Sequence, residues 1–297
     1  MAGGNRAALP AALSESMSAT NSSTTASTNQ WWSDLAEAFL DWNRRASLRI
    51  ECALIRDYSI ENCYRDLVAS ALEPYALVVD AGAGSRCVYA SKGLRIVGAD
   101  ARFADLQSNP DTEFKVVADL TAELPFQPGS VDAVTACYFL EHIPDPEKFI
   151  ANVARILRPG GRFFALYPCR FAPFAVLNRM VPNWLAKKML RRFMPEAHGG
   201  FPAVYSNCWP RRMREILARH QFQVNRTEVC YYQSHYYAAI LPVFLASLAY
   251  DLTVEALGLE SLAASACTVA VKAGWIRRSA PHPPGTSSMR NEEKRTG

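Results

Sequence analysis

The run Leu77-Val78-Val79-Asp80-Ala81-Gly82-Ala83-Gly84-Ser85-Arg86 constrains this chain more than any other stretch. A partly β-branched apolar run that leads into Asp and then Gly-x-Gly predicts a buried strand ending in a tight turn. Glycine suits that turn because positive φ costs it little and because a Cβ would hold a ligand off the main chain. Gly-x-Gly alone is common in turns. Its force here comes from Asp80 in front of it and from two more acids, Asp100 and Asp119, which close later apolar runs.

A chain of 297 residues that is 49% hydrophobic can bury a sizeable core, as one domain with additions or as two small ones. Its net charge of +4 is too slight to argue for nucleic acid. The eight cysteines form no Cys-x-x-Cys pair and no zinc-spaced cluster with histidine, so they read as reduced thiols of a cytoplasmic protein. The N-terminus lacks a secretory pattern, and no apolar run is long enough to span a bilayer.

Residues 1–29 are mostly Ala, Ser, Thr and Asn and read as a disordered leader. A domain is expected over 30–275, opening with two or three helices in 30–73. There Trp31, Trp32, Leu35, Phe39 and Trp42 recur near helical spacing and should pack over the edge of the strand-bearing region after Tyr75. Strands are expected near 76–80, 95–99, 114–118, 131–136 and 162–167. Before the fifth lies a helix with Asp145 as N-cap, Pro146 in its first turn and Phe149, Ile150, Val153, Ile156 and Leu157 on one face. Arg158-Pro159-Gly160-Gly161 stops it. Such alternation predicts a doubly wound α/β sheet, mostly parallel, with ligands bound beyond the carboxyl ends of its strands. Residues 276–297 read as a disordered tail.

A carboxylate after the second strand, Asp100, can accept both hydroxyls of a ribose. Asp119, after the third, can accept from the exocyclic amine of adenine. No Gly-Lys-Ser/Thr follows the turn, so the site suits an adenosine and not a triphosphate. A nicotinamide dinucleotide would want glycine at position 87, which is Cys87, and would not favour Asp80 beside its pyrophosphate.

The ordered set Asp80, Gly82, Gly84; Asp100; Asp119-Leu120; Leu124-Pro125-Phe126; Ser130-Val131-Asp132-Ala133-Val134; Leu140-Glu141-His142-Ile143-Pro144-Asp145-Pro146; and Arg155-Ile156-Leu157-Arg158-Pro159-Gly160-Gly161 resembles the class I S-adenosylmethionine-dependent methyltransferases, in the small-molecule branch that includes the quinone-methylating enzymes. The match runs from about 75 to 168, with a weaker continuation to 273. The resemblance implies a Rossmann-like sheet of seven strands with the last antiparallel. It implies S-adenosylmethionine as cofactor, its methionine part on the loop of Gly82 and Gly84, its ribose on Asp100 and its adenine on Asp119-Leu120, with Asp80 in the same binding set. Arg86 stands where the family often has a third glycine.

Methyl transfer from a sulfonium is an in-line displacement, so the protein mainly aligns the reactants and excludes water. A hydroxyl acceptor benefits further from a base. Glu141 and His142, after the fourth strand, are the candidates; the plain alternative is that they order the loop. Acceptor contacts are expected from Tyr167, His198 and Tyr205, in a cap insertion over 168–205. Within the cap, 184–194 forms a basic amphipathic pattern, which reads either as membrane-seeking or as an ordinary lid helix. A second insertion, 233–265, separates the last two strands, and its stretch 238–250 is almost entirely apolar. Together these favour a small or lipid-linked acceptor methylated on oxygen, with membrane-surface contact at the inner face and no nucleic acid. A catalytically silent nucleoside-binding scaffold is the alternative that Arg86 keeps open. An RNA methyltransferase would rest on the mild positive charge alone.

Overall fold

The computed structural model describes residues 12–55, 59–89, 93–181 and 203–274. Its frame is one seven-stranded sheet: β1 (Leu77–Ala81), β2 (Arg95–Asp100), β3 (Phe114–Val117), β4 (Val131–Cys137), β5 (Leu157–Pro168), β6 (Phe222–Cys230) and β7 (Ser265–Lys272). The order across the sheet is β3-β2-β1-β4-β5-β7-β6. The first five strands pair in parallel, and β7 runs antiparallel to both β5 and β6. This is the doubly wound α/β class expected from the alternation, with the order reversing between β1 and β4, where such sheets hold ligands.

The pleat sorts the core into two layers. Val79, Ala81, Val134 and Phe163 face α4 (Pro146–Ile156) and α6 (Pro210–Arg219), which bring Phe149, Ile150, Val153 and Met213. Val78, Ile96, Ala133 and Phe164 face the other way, against Tyr64 and Val68 of α2 (Ile60–Ala71) and against Tyr89. Helix α4 starts as its sequence demands: Asp145 accepts from the N–H groups of Glu147 and Lys148, both at 3.1 Å, with Pro146 in the first turn. A short α3 (Phe103–Ser108) links β2 to β3.

Strand β5 begins earlier than the sequence suggests. Leu157 stands opposite Val131, but Arg162 stands opposite Ala133, so Arg158–Gly161 loop out of the ladder. The residues that stop α4 therefore sit inside the strand as a bulge, with Gly160 at φ +79°.

The N-terminal region differs from expectation in two ways. Helix α1 runs continuously over Ala12–Leu54, so the backbone from Ala12 is helical and not the expected disordered leader. Extending an existing helix costs far less than nucleating one, which lets weak helix formers join it. And α1 does not bury its aromatic residues. It rests on α7 (Leu241–Ala256) through buried Asn43 and Ser47, whose side chains bond Leu241 N at 3.1 Å and Ala238 O at 3.0 Å. Trp31, Trp32, Leu35, Phe39 and Trp42 stay in solvent.

Of the cap, the described part is α5 (Pro173–Met180) and the return from Ala203; the basic stretch 184–194 and His198 lie outside the described residues, as does the expected tail. The 233–265 insertion is built from a 3₁₀ turn (Ser234–Tyr237), α7 and a second 3₁₀ turn (Glu260–Leu262). Among the described residues no helix is long and apolar enough to cross a membrane.

Candidate functional site

Parallel pairing aligns the tips of β1, β2 and β3 at one edge. Ala81 stands opposite Ala99, and Asp100 opposite Val117, two residues before Asp119. The loop after β1 turns back onto β2, with Gly82 N donating to Ala99 O at 2.8 Å and Gly84 N to the Asp100 carboxylate at 3.0 Å. Both glycines have positive φ, +74° at Gly82 and +49° at Gly84. Their surroundings differ. A Cβ on Gly82 would lie 2.6 Å from the Phe139 ring, whereas a Cβ on Gly84 would meet no atom within 4 Å. Gly82 is needed for packing; Gly84 opens its backbone onto free space. That is the cradle a ligand's main-chain approach requires.

Two residues that sequence reasoning passed over hold this loop. Asn109 donates from its amide to Ala83 O at 3.1 Å and Gly84 O at 3.2 Å, and Asp111 accepts from Cys87 N at 2.9 Å. Arg86 is not among the residues with left-handed backbone, so no glycine is required at that position. The loop closes through Asn109 and Asp111 instead, and the ground for a silent scaffold falls away. The signal was readable: Asn and Asp two residues apart in a connection favour local Asx geometry, and Asn109 Oδ1 accepts from Asp111 N at 2.9 Å.

The three acids have distinct situations. Asp100 is 9% exposed and accepts from Gly84 N and from Arg102 N at 2.8 Å, one on each oxygen. Each oxygen keeps a lone-pair direction that a ribose hydroxyl could use. Asp119 is exposed, and its Oδ1 takes the N–H and O–H of Thr121 at 2.9 and 2.7 Å, which holds its pKa below the usual range. Leu120 beside it turns into the core. Asp80 behaves otherwise than a ligand-binding carboxylate would. The pleat sends it to the same side as Val78, where Oδ1 accepts from Thr135 Oγ1 at 2.7 Å and Oδ2 from Cys87 Sγ at 3.1 Å. Burial pushes it up to about 6, against the opposing pull of those hydrogen bonds. It anchors the loop from below.

The tip of β4 carries the second half of the site. Tyr138 has φ +49°, and the 3₁₀ turn Leu140–His142 follows. Glu141 is 5% exposed, its Oε2 has no hydrogen-bond partner among the described residues, and burial raises its carboxyl to about 8. Its Oε1 lies 3.8 Å from His142 Nε2. Its backbone carbonyl accepts from Val204 N at 2.7 Å and Tyr205 N at 3.0 Å, which fastens the returning cap onto the β4 tip. Tyr205, at φ +53°, accepts from Asn178 Nδ2 at 3.0 Å on its hydroxyl, and burial raises its pKa. Glu141, His142 and Tyr205 thus come together. Tyr167 does not join them: it is fully buried within β5, its hydroxyl paired with Thr268 of β7 at 3.1 Å, so it is a core residue and not an acceptor contact. No cluster of His, Cys, Asp and Glu among the described residues could hold a metal ion.

Comparison with known proteins fits this geometry. Residues 78–165 match the family described as "Methyltransferase domain", just under a third of the chain. The chain is 33% identical over 119 residues to a ubiquinone biosynthesis O-methyltransferase of Idiomarina loihiensis, an alignment covering 36% of this chain and 45% of that one. It is 38% identical over 113 residues to the Xanthomonas campestris enzyme of the same name, covering 33% and 46%. The chain thus spans less than half the length of these relatives. A solved phosphoethanolamine N-methyltransferase of Haemonchus contortus in complex with S-adenosyl-L-methionine overlaps 72% of this chain and 52% of its own, with 14% identity and a TM-score of 0.45. Strand order, glycine cradle and family match point the same way: residues 78–165 match a methyltransferase domain, and this part of the chain resembles the class I S-adenosylmethionine-dependent methyltransferases, the quinone-methylating enzymes among them.

Proposed function

We propose that the protein transfers a methyl group from S-adenosylmethionine to an oxygen of a small or lipid-linked acceptor, a hydroxylated ring of the quinone-precursor kind being the first choice. The observation that carries this reading is the tie between Gly84 and Asp100, with open space above Gly84, at the adjoining tips of β1 and β2. The relatives' names, ubiquinone biosynthesis O-methyltransferase, supply the acceptor class.

When bound, S-adenosylmethionine supplies a methyl group already activated on a sulfonium sulfur. The residues of this chain then have three tasks. Gly82 and Gly84 keep the β1 loop low enough for the methionine part, with Asp80 fixing the loop from beneath through Cys87. Asp100 holds the ribose and Asp119 the adenine amine. His142, whose side chain is partly open to solvent, accepts the acceptor's hydroxyl proton, with the buried Glu141 carboxyl 3.8 Å from its Nε2. Tyr205 closes the acceptor side. The reaction would take place in the cytoplasm or at the inner membrane face.

Calorimetry with S-adenosylmethionine and S-adenosylhomocysteine, followed by labelled methyl transfer to catechol and hydroxybenzoate acceptors, tests this. Binding of both nucleosides with label appearing on a phenolic oxygen supports it. Absence of nucleoside binding would end it.

A further inference from the structure

The solvent side of this domain carries an apolar surface that the methyl-transfer reading does not use. In the stretch 31–42 of α1, the period of 3.6 residues collects Trp31, Trp32, Leu35, Phe39 and Trp42 on one side, between 49% and 61% exposed. Asp34, Glu37, Asp41, Arg44 and Arg45 fall on the other side. Helix α7, against which α1 rests, is largely apolar. Its outer face presents Pro242, Leu245, Ala246, Ala249, Leu252 and Ala256, all exposed and none charged. A helix of that composition is ordinarily buried. Its two acids are already engaged, Asp251 by Gln233 and Ser234, Glu255 by Tyr232.

The surface continues onto the cap. The 3₁₀ turn Ser234–Tyr237 touches both α1 and α7, and its Tyr236 ring lies 5.1 Å from Phe174 of α5. Around α5, Phe171, Leu177 and Met180 are exposed. Between them stand Arg170 and Arg179, which donate to the backbone carbonyls of Tyr205, Ala175 and Arg170. Neither forms an ion pair with a carboxylate among the described residues.

We propose that the aromatic strip of α1, the outer face of α7 and the arginine-bearing end of α5 dock this protein on an anionic phospholipid surface. Three tryptophans and a phenylalanine on one helix face match the headgroup level of a bilayer, where amphipathic rings partition. The uncharged face of α7 meets the acyl boundary. Arg170 and Arg179 meet lipid phosphates. The exposed strip of α1 alone amounts to roughly 600–700 Å², beyond the largest apolar patch of an ordinary monomer. A second copy is a poorer occupant. The alternation Trp32, Leu35, Phe39, Trp42, Ala46 keeps a coiled-coil spacing for about two heptads only, and Arg49 breaks it.

Flotation of the full chain with phosphatidylcholine vesicles, with and without phosphatidylglycerol, tests the proposal independently of methyl transfer. The chain is expected to float with the anionic vesicles at low salt, with a blue shift of tryptophan emission. The double substitution Phe39→Ser/Trp42→Ser, and separately Leu245→Ser/Leu252→Ser, should each weaken binding about tenfold or more. Arg179→Gln should weaken it for the anionic vesicles alone. All these positions are exposed, and unchanged thermal melting and S-adenosylmethionine affinity would show the variants folded. Absence of flotation overturns the proposal, as does flotation undiminished by the double substitutions. So does a solution dimer that Phe39→Ser/Trp42→Ser dissociates, which would assign the surface to a second copy.

Discussion

The Gly84 amide and the Asp100 carboxylate meet at 3.0 Å, so the loop after β1 is held by the tip of β2. One carboxylate thereby fixes the loop backbone and keeps lone pairs in hand, which in the proposed reading serve the ribose hydroxyls. Asp100→Asn should weaken S-adenosylmethionine binding by about tenfold or more, because an amide nitrogen accepts nothing and cannot serve both Gly84 and a ribose. Titration calorimetry reads the loss directly. An affinity within twofold of the parent would remove Asp100 from the binding set.

The two glycines of the loop should fail differently. Gly82→Ala forces a Cβ to within 2.6 Å of the Phe139 ring at φ +74°, so Phe139 and the β4 tip must shift. A loss of about 2–4 kcal/mol in stability is expected, visible in a denaturant midpoint. Gly84→Ala meets no atom, and its strain at φ +49° should cost about 1 kcal/mol or somewhat more. Its larger effect should be on cofactor affinity, since the new methyl occupies the cradle. Equal behaviour of the two variants would count against the cradle.

Glu141 makes stability depend on pH with a defined sign. Burial lifts its carboxyl from 4.5 to about 8, so the folded protein holds a proton there that the unfolded chain releases. Stability from this group is fully present below about pH 4.5 and is lost as pH rises toward about 8. Glu141→Gln removes the penalty. The variant should be more stable than the parent by a few kcal/mol near pH 8, with the gap closing as pH falls to about 4.5. Urea midpoints at a series of pH values measure it, and a gap that does not change with pH would mean Glu141 is not held protonated.

Much of this fold is legible in the order of a few residues. Asp80, Asp100 and Asp119 each close an apolar run, and strand pairing brings those ends to one edge because parallel strands share a direction. Asp145-Pro146 fixes the start of α4 locally. What the sequence conceals depends on direction and on partners. Asp80 looks like a binding carboxylate until the pleat sends it, with Val78, to the side where Thr135 and Cys87 wait. Tyr167 looks like a strand-end contact, but its ring lies in the core and its hydroxyl is taken by Thr268 of β7. Trp31 and Trp42 have the spacing of a packed helix, and periodicity cannot say whether the surface they face belongs to this chain. Asn109 and Asn178 carry no pattern of their own; their roles come from the loops brought opposite them.

The base of the cap at α5 depends on one buried acid. Asp251, fully buried in α7, accepts from Gln233 N and Ser234 N at 2.9 Å each and from Gln233 Nε2 at 3.3 Å. Gln233 in turn accepts from Phe174 N at 3.0 Å, at the start of α5. Three segments separated in sequence are thus joined through one carboxylate, whose pKa burial raises despite those bonds. Asp251→Ala strands the donors of Gln233 and Ser234 and should cost about 2–4 kcal/mol. Asp251→Asn keeps one acceptor oxygen and should recover part of that loss. Because Phe174 and α5 carry Asn178, the partner of the Tyr205 hydroxyl, either change should raise the KM for the acceptor more than it changes S-adenosylmethionine affinity. If both constants move together, Asp251 stabilises the whole domain and has no selective hold on the acceptor side.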